Sequence, residues 1–158
     1  MAIKKIERGN LFEDFQVGQV FKHHWGRTIT ESDNIFFSTM TMNYNPMYFN
    51  KEHAKEMGHK GMVVNPLLVM NTILGLSVED LSEAGGPFLG IDNCHFYKPV
   101  YPGDTIYSES TVLDKRETKS RPDHGVVTWK TIGKNQKGEL VVEYERRNLI
   151  RLRGKREK

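Results

Sequence analysis

The stretch from Asn65 to Leu81 constrains this chain more than any other. Leu67, Leu68, Val69, Met70, Ile73, Leu74, Leu76, Val78 and Leu81 leave hardly a polar face when wound at 3.6 residues per turn. A helix of that kind has to be covered on all sides. Its start is marked by Asn65-Pro66: asparagine suits the N-cap, and proline suits the first helical position, where its missing N–H costs nothing. The pattern predicts one helix over Asn65–Leu81, enclosed by a sheet or a bundle.

The rest of the chain chooses the sheet. Beyond Phe88 no helical period is found. Strands are predicted over Phe88–Tyr97, Thr105–Asp114, Val126–Asn135 and Glu139–Leu152, with Gln136-Lys137-Gly138 as a hairpin loop. Leu140, Val142 and Tyr144 alternate with Val141, Glu143 and Glu145 at strand period. Upstream, a strand through Val20, Phe21 and Trp25 precedes a helix capped by Thr30, with Glu31 and Asp33 in its first turn, that ends near Asn43. Asn50 caps a second, short helix, Lys51–Met57, closed by Gly58. The fold class is therefore α+β, an antiparallel sheet wrapped around a long central helix. Exposed sheet edges in such a fold are commonly protected by a second subunit, so a homodimer is expected.

Composition narrows the classes. The 158 residues, without repeat or linker, read as a single domain over 1–158. No apolar stretch approaches the roughly 20 residues that span a bilayer, and the start, Met1 to Arg8, has no apolar core of a signal peptide. One cysteine, Cys94, excludes an intramolecular disulfide framework, and the reading is cytoplasmic, with no membrane partner. A net charge of +3 does not call for nucleic acid. The cations Arg146, Arg147, Arg151, Arg153, Lys155, Arg156 and Lys158 read as a solvated strand face running into a basic tail at about 153–158. No histidine pattern has metal spacing: adjacent His23 and His24 face opposite sides of a strand. No Ser-His-Asp or Cys-His arrangement is evident, and Gly85-Gly86-Pro87-Phe88-Leu89-Gly90 lacks the ending of a phosphate loop.

Three segments, in order, resemble the MaoC-like hot-dog hydratases. Phe96-Tyr-Lys-Pro-Val-Tyr-Pro-Gly-Asp-Thr-Ile106 is similar to the family's F-x-x-P-V-x-P-G-D-T-[LI]. Gly26-Arg-Thr-Ile-Thr-Glu-Ser-Asp33 resembles R-T-[IV]-T-E-x-D, and Asn43-Tyr-Asn-Pro-Met-Tyr48, followed after five residues by Ala54, sits on D-x-N-P-[LIV]-H-x5-[AS]. The similarity runs from about Phe12 to Leu152. It implies a hot-dog fold, side-by-side dimers and acyl-CoA thioester substrates, with reversible addition of water to a trans-2-enoyl group. It implies no metal, and no cofactor beyond the coenzyme A that the substrate carries.

In that family a carboxylate and an imidazole flank the water, and a glycine N–H at the start of the central helix holds the developing oxyanion. Each acid or base group is worth about 10²–10⁴ in rate, and an oxyanion donor about 10²–10³. Here those positions are Asn43, Tyr48 and Pro66. Asparagine orients water without taking its proton, a phenol donates one, and proline has no N–H. The resemblance thus places the catalytic positions at Asn43 and Tyr48 and the substrate-binding positions at Asn65, Pro66 and Leu67, the N–H groups of Leu67 and Leu68 being expected free. The asparagine and the altered helix start resemble the mesaconyl- and itaconyl-CoA hydratase subgroup, which keeps the histidine that Tyr48 replaces. Two other functions fit the same motifs, a non-catalytic acyl-CoA-binding or regulatory protein and an acyl-CoA thioesterase.

Overall fold

The computed structural model describes residues 8–154; the leader reading of Met1 to Arg8 and the tail cations Lys155, Arg156 and Lys158 fall largely or wholly outside them. Strands β1 (Val20–Thr28), β2 (Phe88–Phe96), β3 (Thr105–Glu117), β4 (His124–Asn135) and β5 (Leu140–Arg151) form one antiparallel sheet in the order β1-β3-β4-β5-β2. Helices α1 (Glu31–Met40), α2 (Lys51–Glu56), α3 (Pro66–Leu76) and α4 (Val78–Leu81) connect β1 to β2. The α+β hot-dog arrangement expected from the sequence is the one observed.

Local chemistry fixes the boundaries. The β4–β5 hairpin turns where Asn135 Oδ1 accepts the N–H groups of Lys137 and Glu139, and Gly138 takes a φ of 77° that side chains avoid. On α1, Thr30 Oγ1 accepts the Asp33 N–H at 3.1 Å and Asp33 returns a bond to the Thr30 N–H at 2.9 Å, a reciprocal capping box. α3 presses onto the sheet at Gly133, where even a Cβ would lie 2.0 Å from Ile73 Cδ1.

The central helix departs from expectation twice. It is broken at Ser77, whose hydroxyl donates to the Leu74 carbonyl at 2.7 Å and so competes with the helix ladder. α4 then begins at Val78. Nor is the helix enclosed: Val69 and Ile73 are buried, but Leu67 is 48% exposed and the Asn71 and Gly75 faces are open. Five strands curl round one side of it only. Apolar residues on α3 therefore do two jobs, filling a core toward the sheet and presenting a surface away from it.

The core has two lobes. One gathers Ile29, Val64, Val69, Ile73, Val100, Ile106, Val141 and Val142 around α3. The other gathers Phe12, Phe15, Leu81, Val112, Trp129 and Ile150 beneath α4.

Candidate active site

The tip of α3 is built around three amide and hydroxyl side chains. Asn34, fully buried on α1, donates through Nδ2 to the Tyr48 carbonyl at 2.7 Å and the Val63 carbonyl at 2.9 Å. Its Oδ1 accepts the Asn65 N–H at 2.7 Å. One side chain thereby satisfies three backbone groups, from the Tyr48 turn, the strand-like approach to α3, and the α3 N-cap. Asn65 in turn donates to Ser38 Oγ at 3.3 Å and accepts the Leu67 N–H at 3.0 Å. Ser38 completes the ring through its carbonyl, which accepts the Asn43 N–H at 2.8 Å.

Asn34 thus ties the Tyr48 carbonyl to the N-cap of α3, and Ser38 ties the Asn43 N–H to α1. Pro46–Tyr48 is a single 3-10 turn capped by Asn45, and Met42 just before it has a φ of 57°. Both side chains are half-buried, and neither the Asn43 amide nor the Tyr48 hydroxyl is hydrogen-bonded to another described residue.

Asn65, Pro66 and Leu67 are placed differently from one another. Asn65 has no exposed surface, and its amide is spent on the cap and on Ser38. Pro66 lines a cleft of about 190 Å³ with Phe96, Tyr97 and Val100. Leu67 has its side chain outward, but its N–H is not free. Asn65 Oδ1 takes it, and the Leu68 N–H goes to the Asn65 carbonyl at 2.9 Å. The expectation of open first-turn donors is therefore corrected: the asparagine that starts the helix also consumes its leading N–H. On the other flank of α3, a groove of about 400 Å³ runs along α1, lined by Phe36, Phe37, Met40, Leu68 and Thr72. At its mouth Arg27 pairs with Asp33 at 3.0 Å. The Thr30 hydrogen bonds first, and Arg27 after them, hold the Asp33 carboxyl below the ordinary aspartate range.

Other titratable side chains lie elsewhere. His53 faces Glu56 at 3.9 Å on α2, and His59 approaches the Tyr101 hydroxyl at 3.3 Å. Cys94 sits beside Met70, its thiol pushed up by burial. Among the described residues no cluster of three or more His, Cys, Asp or Glu is placed to hold a metal, and no helix is long and apolar enough to cross a membrane.

Two features depart from the sequence reading, the first without changing its conclusion on chemistry. A Ser-His-Asp contact does exist: His23 Nδ1 meets Asp80 Oδ2 at 2.6 Å and its Nε2 meets Ser110 Oγ at 2.9 Å. Its members come from β1, α4 and β3, so no local spacing revealed it. Ser110 is fully buried and shares its hydroxyl with Thr131 at 2.8 Å, so it braces the sheet. Burial lowers the His23 pKa, against the opposing pull of Asp80. Arg146 is the second correction. It belongs to no solvated face, being 1% exposed beneath α4, whereas its neighbour Arg147 is outside and pairs with Asp92 at 2.6 Å.

Asn34 and Ser38 were the residues that sequence reasoning missed. They had a visible signal: four positions apart, they share one face of α1.

A profile of the mesaconyl-CoA hydratase family matches residues 2–157, almost the full chain. The chain belongs to that family. It is 37% identical over 145 residues to a mesaconyl-CoA hydratase of Haloarcula hispanica, covering 91% of this chain and 40% of that protein. Among solved structures, it superposes on a MaoC domain dehydratase from Chloroflexus aurantiacus with a TM-score of 0.88 and 34% identity, over 96% of this chain and 43% of the other. It also superposes on a monoamine oxidase regulatory protein from Archaeoglobus with a TM-score of 0.81 and 30% identity, over 94% and 99% of the two chains. The chain spans about two-fifths of the length of the curated mesaconyl-CoA hydratase relative, at 40%.

Proposed function

We propose that the chain is a hydratase/dehydratase of 2-enoyl-CoA thioesters working at the α3 tip. The observation that carries this reading is the Asn34 tie, which links the Tyr48 turn, its hydroxyl unbonded to any described residue, to the start of α3 in a member of a CoA-thioester hydratase family. Asn43 would orient the attacking water. Tyr48 would deliver its proton to the α-carbon while the water oxygen bonds to the β-carbon and returns its own proton to the phenol oxygen. The tyrosine then ends neutral, as it began, and no separate base is needed. Such a coupled transfer suits a site whose leading N–H groups are engaged, because little enolate charge accumulates. The thioester carbonyl would lie along the Pro66 cleft. No cofactor enters beyond the substrate's coenzyme A.

The working form proposed is a homodimer. β2 is a sheet edge, and Phe88, Leu89, Phe96 and Tyr97 on or beside it are exposed, as is Leu67. A second copy on this side would cover what one sheet leaves open around α3.

A second reading has its own support. Pro66 has no N–H, and Asn65 occupies that of Leu67, so the helix tip offers no free oxyanion donor in its first two positions. That favours an acyl-CoA-binding protein without turnover. Incubation with crotonyl- and mesaconyl-CoA separates the readings. Loss of the conjugated thioester absorbance, with no thiol released, supports hydration. Saturable binding with unchanged absorbance supports the binding protein, and free thiol would mark a thioesterase.

A further inference from the structure

Arg146 is buried at the end of α4. Its Nη2 donates to Ser82 Oγ at 3.2 Å, and its Nε has no partner. Among the described residues no carboxylate pairs with it. Asp80, on the neighbouring α4, is engaged by His23, which itself feels the guanidinium charge. The Arg146 guanidinium carbon lies 5.3 Å from the Trp129 ring centroid, and that contact offsets a buried cation only in part.

The surroundings supply donors and little else. Trp129 is the direct cross-strand partner of Arg146, and Tyr144 lies two residues along the same strand, so the three side chains share one face of the sheet. Trp129 Nε1, buried, lacks a hydrogen-bond partner, and the buried Tyr144 hydroxyl faces Thr131 on the neighbouring strand, whose hydrogen bond leaves the phenol proton available to a further acceptor. Asn148, next on that face, has an unpaired amide oxygen, and a half-turn of the amide presents its NH₂ instead. Unmet donors around a guanidinium that cannot release its proton are the chemistry of an anion receptor. A trapped water would satisfy the donors but bring no charge.

We propose that Arg146, Trp129 and Tyr144 form an internal site for a small monovalent anion, a halide or a carboxylate of formate size, which locks α4 onto β5. The site lies where the two core lobes meet, Trp129 in one and Tyr144 in the other, and it is independent of the thioester reading because it involves none of Asn43, Tyr48 or Pro66.

Trp129 reports on its own ligand. The chain has two tryptophans, and Trp25→Phe removes the exposed one. That variant, dialysed into gluconate, is titrated with bromide and formate at constant ionic strength, following Trp129 emission and Tm. The expected result is saturable quenching by bromide, competition by chloride and by formate, and a Tm that climbs with the logarithm of anion concentration. Adding Arg146→Met should abolish both responses. Quenching that never saturates, together with a Tm indifferent to anion identity, would overturn the site. So would responses of equal size with Met at position 146. If the Met variant does not fold, the titration of the Trp25→Phe protein decides alone, by saturation and Tm together. Saturation by bromide without competition by formate would restrict the site to halides and overturn its carboxylate arm.

Discussion

The two ends of the central helix solve the same problem in opposite ways. At the α3 tip, Asn34, Ser38 and Asn65 are neutral and fully buried, and their hydrogen bonds close a ring that fixes three chain segments at once. At α4, buried His23 and Arg146 bring ionisable groups into the core, with half-buried Asp80 on the helix facing His23, and several polar atoms there are left unmatched. Neutral amides bury at modest cost when every donor and acceptor is used, whereas charges need a counter-charge. The first end is thus suited to holding a reactive turn at fixed geometry. The second is suited to responding to protons and ions.

Removing the neutral ring should have the largest effect on stability. Asn34→Ala strips partners from the Tyr48 and Val63 carbonyls and the Asn65 N–H, and should cost about 3 kcal/mol in chemical denaturation, at 1–3 kcal/mol per buried group left unpaired. A loss below about 1 kcal/mol would show that the ring is not what holds the tip together.

The charged end should instead show itself through pH. Burial depresses the folded-state pKa of His23, so the unfolded chain binds more protons just below the ordinary histidine value. Stability from this group is complete above a pH of about 6.5 and is lost as pH falls toward the folded-state value, by at most about 1.4 kcal/mol per pH unit. Denaturation midpoints between pH 7.5 and 5 should decline along this slope, and His23→Gln, which keeps hydrogen-bonding capacity but cannot titrate, should flatten it. An unchanged slope in that variant would assign the decline to other groups.

Much of the tip was legible because its signals are local. Asn65-Pro66, the Thr30–Asp33 box and Asn50 before Lys51 each act within one turn of helix, and each appears where the sequence puts it. The enclosure of α3 was not legible, because an all-apolar helix says that it must be covered and not by what. Arg146 was misread although parity pointed inward: Val142, Tyr144, Arg146 and Asn148 share one side of β5. The His23–Asp80–Ser110 contact joins residues 57 and 87 positions apart, beyond the reach of any spacing rule.

Smaller effects belong to the surface. Asp33→Ala opens the capping box and the Arg27 pair, for about 1 kcal/mol in thermal denaturation. Leu67→Glu should alter the stability of an isolated chain by no more than about 0.5 kcal/mol. The same change should halve the mass seen by sedimentation if a second copy covers α3, and a mass unaltered by it would remove Leu67 from the dimer contact.

The decisive measurement is the turnover of 2-enoyl-CoA by Tyr48→Phe beside the parent protein, with Tm recorded for both. The Tyr48 hydroxyl bonds to no other described residue, so the variant should melt at the parent temperature while hydration slows by about 10² or more, as befits the loss of a proton donor. Equal rates in the two proteins would contradict a reaction carried by the turn at the tip of α3.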